Sequence, residues 1–270
     1  MEKYNGFEFV SSRDNERVKR YAKLASAKFR ESERLFLAEG VKLTREALEA
    51  GNAECVLIRE STLREHGEIA RTAAEKTRVT VLFDPAFEKI TTENSPQGVI
   101  TVSHFMKRHM TDSELPAEKL SGRRCIALDC VRDPGNLGAV FRSALAFGFD
   151  TVLMGDCVDL YNPRAVRATM GAVYRMDTVT CRDLREYLTV AGRERRIIGA
   201  CLEDKCHVLG RFIPGEGDIV VIGNEGSGLR DRVREACSDF LKIPMGPYSE
   251  SLNAACAASV ILWEYSKHRR

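Results

Sequence analysis

The 270-residue chain has no uninterrupted apolar run approaching the roughly 20 residues that a membrane-spanning helix needs. Its first residues, Met1 to Asn5, lack the apolar segment of a signal peptide, so a cytosolic, non-membrane protein is the expectation. C-x-x-C pairs are also missing, which excludes zinc ribbons. The cysteines number nine, an odd count that argues against a complete disulfide framework and suits small buried residues in a reducing compartment. Only Cys201 and Cys206, followed by His207, approach a cluster, and their spacing fits neither a zinc site nor a catalytic dyad, so no metal is expected. There is little net charge: the formal value is +2, which by itself says almost nothing about partners. Internal repeats and low-complexity tracts are absent.

An apolar content of 44% is that of a globular protein, and the length allows two domains. Charge is unevenly placed. Arg13, Arg17, Lys19, Arg20, Lys23, Lys28, Arg30 and Arg34 give the first segment a basic bias, and the chain ends Lys267-His268-Arg269-Arg270. Such runs are as often solvated helix faces as nucleic-acid contacts.

Periodicity predicts an amphipathic helix over Ser12 to Arg30, a strand at Leu35 to Gly40 and a helix from Val41 to Ala50 that Gly51 stops. It predicts further strands at Cys55–Ile58, Val79–Phe83 and Gly98–Val102, with a helix at 62–76 and a turn at Asp84-Pro85. This alternation suits a small α/β domain, residues 1–106. Residues 107–122 are polar without an apolar period and are expected to be a linker. Residues 123–270 resume the alternation, with strands at Cys125–Asp129, Thr151–Met154, Met176–Thr180, Arg196–Ala200, Ile219–Ile222 and Phe240–Ile243. Helices are expected over Asn136–Phe147 and Ser251–Ser266. Strict alternation implies an α/β fold with a mainly parallel sheet, and ligands beyond the carboxyl ends of its strands.

Three separated segments carry unusual residue choices. The first runs from Asp133-Pro134-Gly135-Asn136 to Arg142-Ser143. Asn136 suits a helix N-cap, and Arg142, about one and two-thirds turns later, stands among apolar or small residues where a guanidinium needs an anionic partner. The second is Gly223-Asn224-Glu225-Gly226-Ser227-Gly228 after an apolar strand, a loop whose backbone N–H groups can approach a ligand closely. Its G-x-x-G-x-G order and late position disfavour a dinucleotide-binding turn. The third is Ile243-Pro244-Met245, followed by Ser249-Glu250-Ser251-Leu252-Asn253.

In this order the three segments resemble the signature motifs of the SpoU branch of the SPOUT superfamily, the TrmH-like RNA ribose 2′-O-methyltransferases. Tyr161-Asn162-Pro163-Arg164 to Gly171-Ala172 is similar to the family's connection between the first two motifs. Phe36-Leu37-Ala38-Glu39-Gly40 and Ser95-Pro96-Gln97-Gly98-Val99 are similar to its smaller N-terminal α/β substrate-binding domain. The resemblance implies a deep trefoil knot in the C-terminal domain, an exception to the usual absence of threaded chains. It implies S-adenosyl-L-methionine as cofactor, structured rRNA or tRNA as substrate, and a homodimer whose partner subunit completes each active site. By matching position, Gly223, Ile243, Met245 and Leu252 would contact the cofactor, and Asn136, Arg142, Glu225, Ser251 and Asn253 would form the reacting end. Two departures from the third motif, Ala254-Ala255 where the family more often has Val and Ser, and Gly246-Pro247 in reversed order, bear on cofactor affinity.

Each assignment has a structural alternative. For Arg142 it is a pairing with a core carboxylate such as Asp129. Asn136, Ser251 and Asn253 suit helix caps, Glu225 an exposed turn, and Arg164 and Arg167 either RNA contacts or a solvated helix face. Trp263, the only tryptophan, fits the core or a dimer surface better than a base-stacking platform. The leading expectation is methylation of a ribose 2′-hydroxyl in rRNA or tRNA; the alternative is a non-catalytic RNA-binding or assembly factor that keeps the fold.

Overall fold

The apolar runs become strands, and their alternating residues face two separate cores. In the computed structural model residues 7–203, 205–248 and 251–268 are described, so Ser249 and Glu250 of the third segment and Arg269 and Arg270 of the basic terminus lie outside them. The chain divides into two units, Met1–Met106 with Asp159–Tyr174, and Lys107–Val158 with Arg175–Arg270.

The first unit contains strands β1 (Glu8–Val10), β2 (Leu35–Glu39), β3 (Ala53–Arg59), β4 (Arg78–Leu82) and β5 (Val99–His104), in the sheet order β1-β4-β3-β5-β2. β4 runs parallel to β1 and β3, whereas β5 is antiparallel to β2 and β3. Side chains alternate across the pleat. Leu57, Ile100 and Val102 enter one core with Leu35 and Leu37, while Val56, Ile58, Val79, Val81 and Val99 enter the other.

The helix expected over Ser12–Arg30 is broken into Glu16–Ala22, a 3-10 turn at Lys23–Ala25, and Ala27–Glu33, because Ser26 takes an extended conformation. Its basic bias is largely absorbed by carboxylates. Arg17 pairs with Glu8, Arg20 with Glu33 and Glu54, and buried Arg30 donates to Asp159 and to the carbonyls of Leu24 and Ala25. Asp84-Pro85 opens the short helix Asp84–Glu88 instead of a turn, a position that suits proline's fixed φ. The helix expected at 62–76 is confined to Gly67–Ala74.

Residues 159–174, expected within the C-terminal domain, belong to this first unit. The Tyr161 ring lies 4.6 Å from that of Phe36 and 3.9 Å from that of Phe105, centroid to centroid, and the hydroxyls of Tyr174 and Ser103 are 2.9 Å apart. Gly171, at φ +102°, sits where a Cβ would meet Glu46 Cγ at 2.6 Å, so this turn accepts only glycine.

The second unit holds β6 (His109–Thr111), β7 (Cys125–Asp129), β8 (Thr151–Gly155), β9 (Asp177–Cys181), β10 (Ile197–Ala200), β11 (His207–Val208), β12 (Ile219–Ile222) and β13 (Asp239–Lys242). The order is β11-β13-β10-β12-β7-β8-β9-β6, and each neighbouring pair is parallel. β6 comes from the stretch 107–122, read as a linker; Leu115, Ala117 and Leu120 of that stretch are buried in one core with Val179, Leu184 and Leu188. Parallel strands place all their carboxyl ends on one edge. From β7 the chain steps outward through β8 to β9, then returns to build β10, β12 and β13 on the other side. The crevice at this reversal is where a doubly wound sheet receives a ligand.

Candidate active site

Three connections leave the carboxyl edge of the second unit side by side. The first follows β7 into the helix Pro134–Ala146. Asp133, not Asn136, caps that helix: its Oδ1 accepts the Asn136 backbone N–H at 2.8 Å, and Pro134 fills the first turn. The Asn136 side chain is thereby free for other work. Its Nδ2 donates to Glu225 Oε1 at 2.9 Å, and its Oδ1 accepts from Asn253 Nδ2 at 2.8 Å.

The second connection is the glycine loop after β12. Asn224 and Gly228 exchange backbone hydrogen bonds of 2.9 and 3.0 Å, which closes the loop. Asn224 Oδ1 accepts from the N–H groups of Gly226 and Ser227, and its Nδ2 donates to the Cys130 carbonyl at 2.9 Å and to Glu225 Oε2 at 3.1 Å. A Cβ on Gly223 would stand 2.3 Å from the Gly228 carbonyl carbon, so the crossing of the two backbones requires glycine there. The Glu225 carboxylate accepts from two side-chain amides that belong to different motifs.

The third connection runs from β13 through Ile243-Pro244-Met245 to the helix Ala254–Lys267. Asn253 is that helix's N-cap, its Oδ1 accepting from Ala255 and Cys256 N–H at 2.9 and 3.2 Å. One side chain thus caps a helix and ties the third motif to the first. Asn136, Glu225 and Asn253 form one hydrogen-bonded chain across all three segments.

Beside this chain lies a cavity of about 340 Å³, lined by Gly223, Glu225, Ile243, Met245, Ser251 and Leu252 together with Cys201, Leu229 and Ile261. Its size lies within the usual range for small-ligand sites, about 300–1,000 Å³. Its lining combines the glycine loop with apolar side chains such as Ile243, Met245, Leu252 and Ile261 and with polar ones such as Glu225 and Ser251, a mixture that suits a nucleoside with a short amino-acid chain. Cys201 is joined to Cys206 by a disulfide, against the reading of both as free buried thiols. A larger opening of about 530 Å³ lies at the amino ends of the strands, but the guanidinium of Arg195 in its wall is already engaged by the carbonyls of Gly217, Leu120 and Arg123.

Arg142 lacks the apolar surroundings that its neighbours in sequence suggested. It is exposed on the helix Pro134–Ala146, does not line the cavity, and has no hydrogen-bond or ion-pair partner among the described residues. Asp129, the carboxylate considered for it, is held by Arg230. The apolar and small residues around Arg142 in sequence lie on the helix's buried side, at Leu137, Gly138, Val140, Phe141 and Ala144. Arg164 and Arg167 belong to the first unit, on the helix Pro163–Ala168. Arg167 is paired with Glu93, and Arg164 is exposed. Sequence reasoning assigned no role to Asp133, Asn224 or Arg230. Asp-Pro at a helix start was a legible capping signal; Arg230 had none.

Residues 123–263 match the SpoU rRNA Methylase family, and residues 15–101 match the MRM3-like substrate binding domain. The chain is 30% identical over 258 residues to the 23S rRNA (guanosine(2553)-2′-O)-methyltransferase RlmP of Bacillus subtilis, covering 94% of this chain and 97% of that protein. It is 32% identical over 212 residues to an uncharacterized tRNA/rRNA methyltransferase of Mycobacterium tuberculosis, covering 75% of this chain and 63% of that relative. Among solved structures, an AdoMet-bound rRNA methyltransferase from Sinorhizobium meliloti superposes with a TM-score of 0.81 at 25% identity, over 98% of this chain and 99% of the other. An RNA 2′-O ribose methyltransferase superposes with a TM-score of 0.81 at 27% identity, over 96% and 98%. The mainly parallel carboxyl-terminal sheet, the smaller substrate-binding unit and these matches lead to one conclusion: the chain belongs to the SpoU rRNA methylase family.

Proposed function

We propose that the protein transfers a methyl group from S-adenosyl-L-methionine to a ribose 2′-hydroxyl of structured RNA, ribosomal RNA being the substrate class of the full-length relative RlmP. The observation that carries this reading is the Asn136–Glu225–Asn253 chain, which fastens three loops around one cavity. Gly223, Ile243, Met245 and Leu252 hold the cofactor, whose contribution when bound is a methyl group on a positively charged sulfur. The residues of this chain do the positioning. The attacking oxygen must reach near-attack distance in line with the methyl, and rigid loops supply that geometry.

Glu225, saturated by amide donors, acts as an anchor for the wall of the reacting end. Ser251 and Asn253 form the opposite wall. Arg142 presents a planar fork of N–H donors with no acceptor, and it therefore clamps an RNA phosphate and stabilises the developing oxyanion while that phosphate accepts the hydroxyl proton. Its exposure fits a group that meets RNA or a second subunit. Arg164 and Arg167 contribute RNA contacts from the first unit.

A homodimer is part of the same reading. On the helices Pro134–Ala146 and Ala254–Lys267, joined by a 2.7 Å Ser143–Ser259 hydrogen bond, Leu145, Val260 and Trp263 remain exposed. An apolar patch of this kind fits a second copy of the chain. The knotted threading of the carboxyl-terminal strands completes the proposal.

Calorimetric titration with S-adenosyl-L-methionine and labelled-methyl transfer to total RNA test the reading together. Binding with transfer to ribose supports it. Absence of both would leave an RNA-binding factor that keeps the fold without the reaction.

A further inference from the structure

Asp129 closes β7, one of the two central strands, and is completely buried. A buried carboxylate needs a dedicated partner. Arg230 supplies it three times over: its backbone N–H donates to Oδ2 at 2.9 Å, its Nε to Oδ1 at 2.8 Å, and its Nη2 lies 2.6 Å from Oδ1. The remaining nitrogen, Nη1, reaches Asp156 at the end of β8. Arg230 follows the glycine loop by two residues. It therefore pins the loop's exit to the ends of two neighbouring strands.

The loop's entry is pinned to the same turn. Asn224 donates to the carbonyl of Cys130, the residue after Asp129. Cys130 and Asp156 both hold left-handed backbone, at φ +59° and +51°, which non-glycine residues adopt at a cost. The Asn224–Gly228 bridge and the Asn224 side chain close the loop on itself, so what the anchors at its ends decide is where it sits against the strand ends. Both ends hang on residues 129 and 130, and the first motif begins three residues later at Asp133.

We propose that Arg230 is a positioning residue for methyl transfer: through buried Asp129 it sets where the glycine loop sits against the strand ends, and with it the placement of Gly223 and Glu225. This inference rests on the reading of the adjoining cavity as the S-adenosyl-L-methionine site. A purely structural role would be to neutralise Asp129. The two differ in what happens when both partners are removed. Losing Arg230 alone strands a buried charge, whereas replacing both removes that penalty without restoring the clamp.

The test compares Arg230→Met, Asp129→Asn and the double variant by melting temperature, by calorimetric titration with S-adenosyl-L-methionine, and by kcat and the cofactor KM. Arg230→Met is expected to lower the melting temperature and raise the cofactor Kd about tenfold or more. The double variant is expected to recover most of the melting temperature but not the affinity, with KM raised more than kcat is lowered. Arg230→Lys, which keeps the charge Asp129 requires but not the fork, is expected to fold and to bind at least about threefold more weakly. Wild-type affinity in the double variant, or in Arg230→Lys, would overturn the proposal. Leu252→Lys, placed inside the cavity, separates the two failures. If it leaves binding intact, the cavity reading itself is lost; if it abolishes binding while the double variant binds normally, only the role of Arg230 is lost.

Discussion

The Asn253 side-chain amide donates to the Asn136 side-chain oxygen at 2.8 Å, joining residues 117 positions apart in the chain. Asn136 passes the connection on to Glu225. Each of the three is held by the others, so the loops are mounted as one piece. Glu225→Gln turns one acceptor oxygen into a donor facing the donating amides of Asn136 and Asn224. Methyl transfer is expected to fall about 10- to 100-fold, with the melting temperature little changed because the residue is exposed. Single-turnover transfer to RNA, with a thermal melt, measures both.

Arg142 tests the clamp. It is exposed and forms no internal bond among the described residues, so Arg142→Lys leaves the fold intact. Loss of the bidentate fork is expected to lower kcat by about tenfold or more, while cofactor affinity stays as it was. Full activity in this variant would remove the phosphate-clamp role.

Gly223 has no space for a side chain. Gly223→Ala would drive a Cβ to 2.3 Å from the Gly228 carbonyl carbon, and backbone must yield. The loop is expected to open and the cofactor Kd to rise by about tenfold or more, read by calorimetry. Gly226→Ala, with its nearest neighbour at 3.7 Å, is the control and is expected to bind far better than Gly223→Ala.

Trp263 is 54% exposed and close to Phe147, their rings 5.8 Å apart. If the two helices carry the dimer, Trp263→Glu is expected to shift the protein towards monomer in light scattering. It should lower activity without altering the secondary structure seen by circular dichroism. An unchanged dimer would move the interface elsewhere.

Thiol chemistry follows burial. Burial pushes the Cys125 thiol up to about 11 and also raises Cys55 and Cys181, whereas Cys256 is exposed. Iodoacetamide at neutral pH is therefore expected to label Cys256 well before these three, as peptide mapping would show. A thiol whose folded pKa exceeds the unfolded value favours folding fully below the unfolded pKa, about 8.5, and loses that contribution as pH rises through the folded value. Stability is thus expected to decline in the alkaline range through the Cys125 interval, and Cys125→Ser should reduce the slope, measured by denaturant melts between those limits.

Elements with strong local signals were legible. Ile219–Ile222 and Cys125–Asp129 are fully buried strands, as their four consecutive apolar residues suggest, the second run ending on Asp129. β6 and β11 were not legible. Each is two or three residues long and is a strand only because β9 or β13 offers it an edge. Ser26, which splits the first long helix, carried only a weak breaking signal.

The candidate site divides in the same way. The motif resemblance singled out Asn136, Glu225, Asn253 and Gly223, and the fold brings these four together at one edge of the sheet. Which oxygen faces which amide is not written in the motifs. Asn136 was free to bridge two motifs because Asp133 took the cap, and the buried Asp129 carboxylate is held by Arg230, 101 residues further along the chain, while Arg142 stands exposed. Which side chain meets a buried charge is settled by three-dimensional packing among residues remote in sequence, so it was decided by tertiary structure alone.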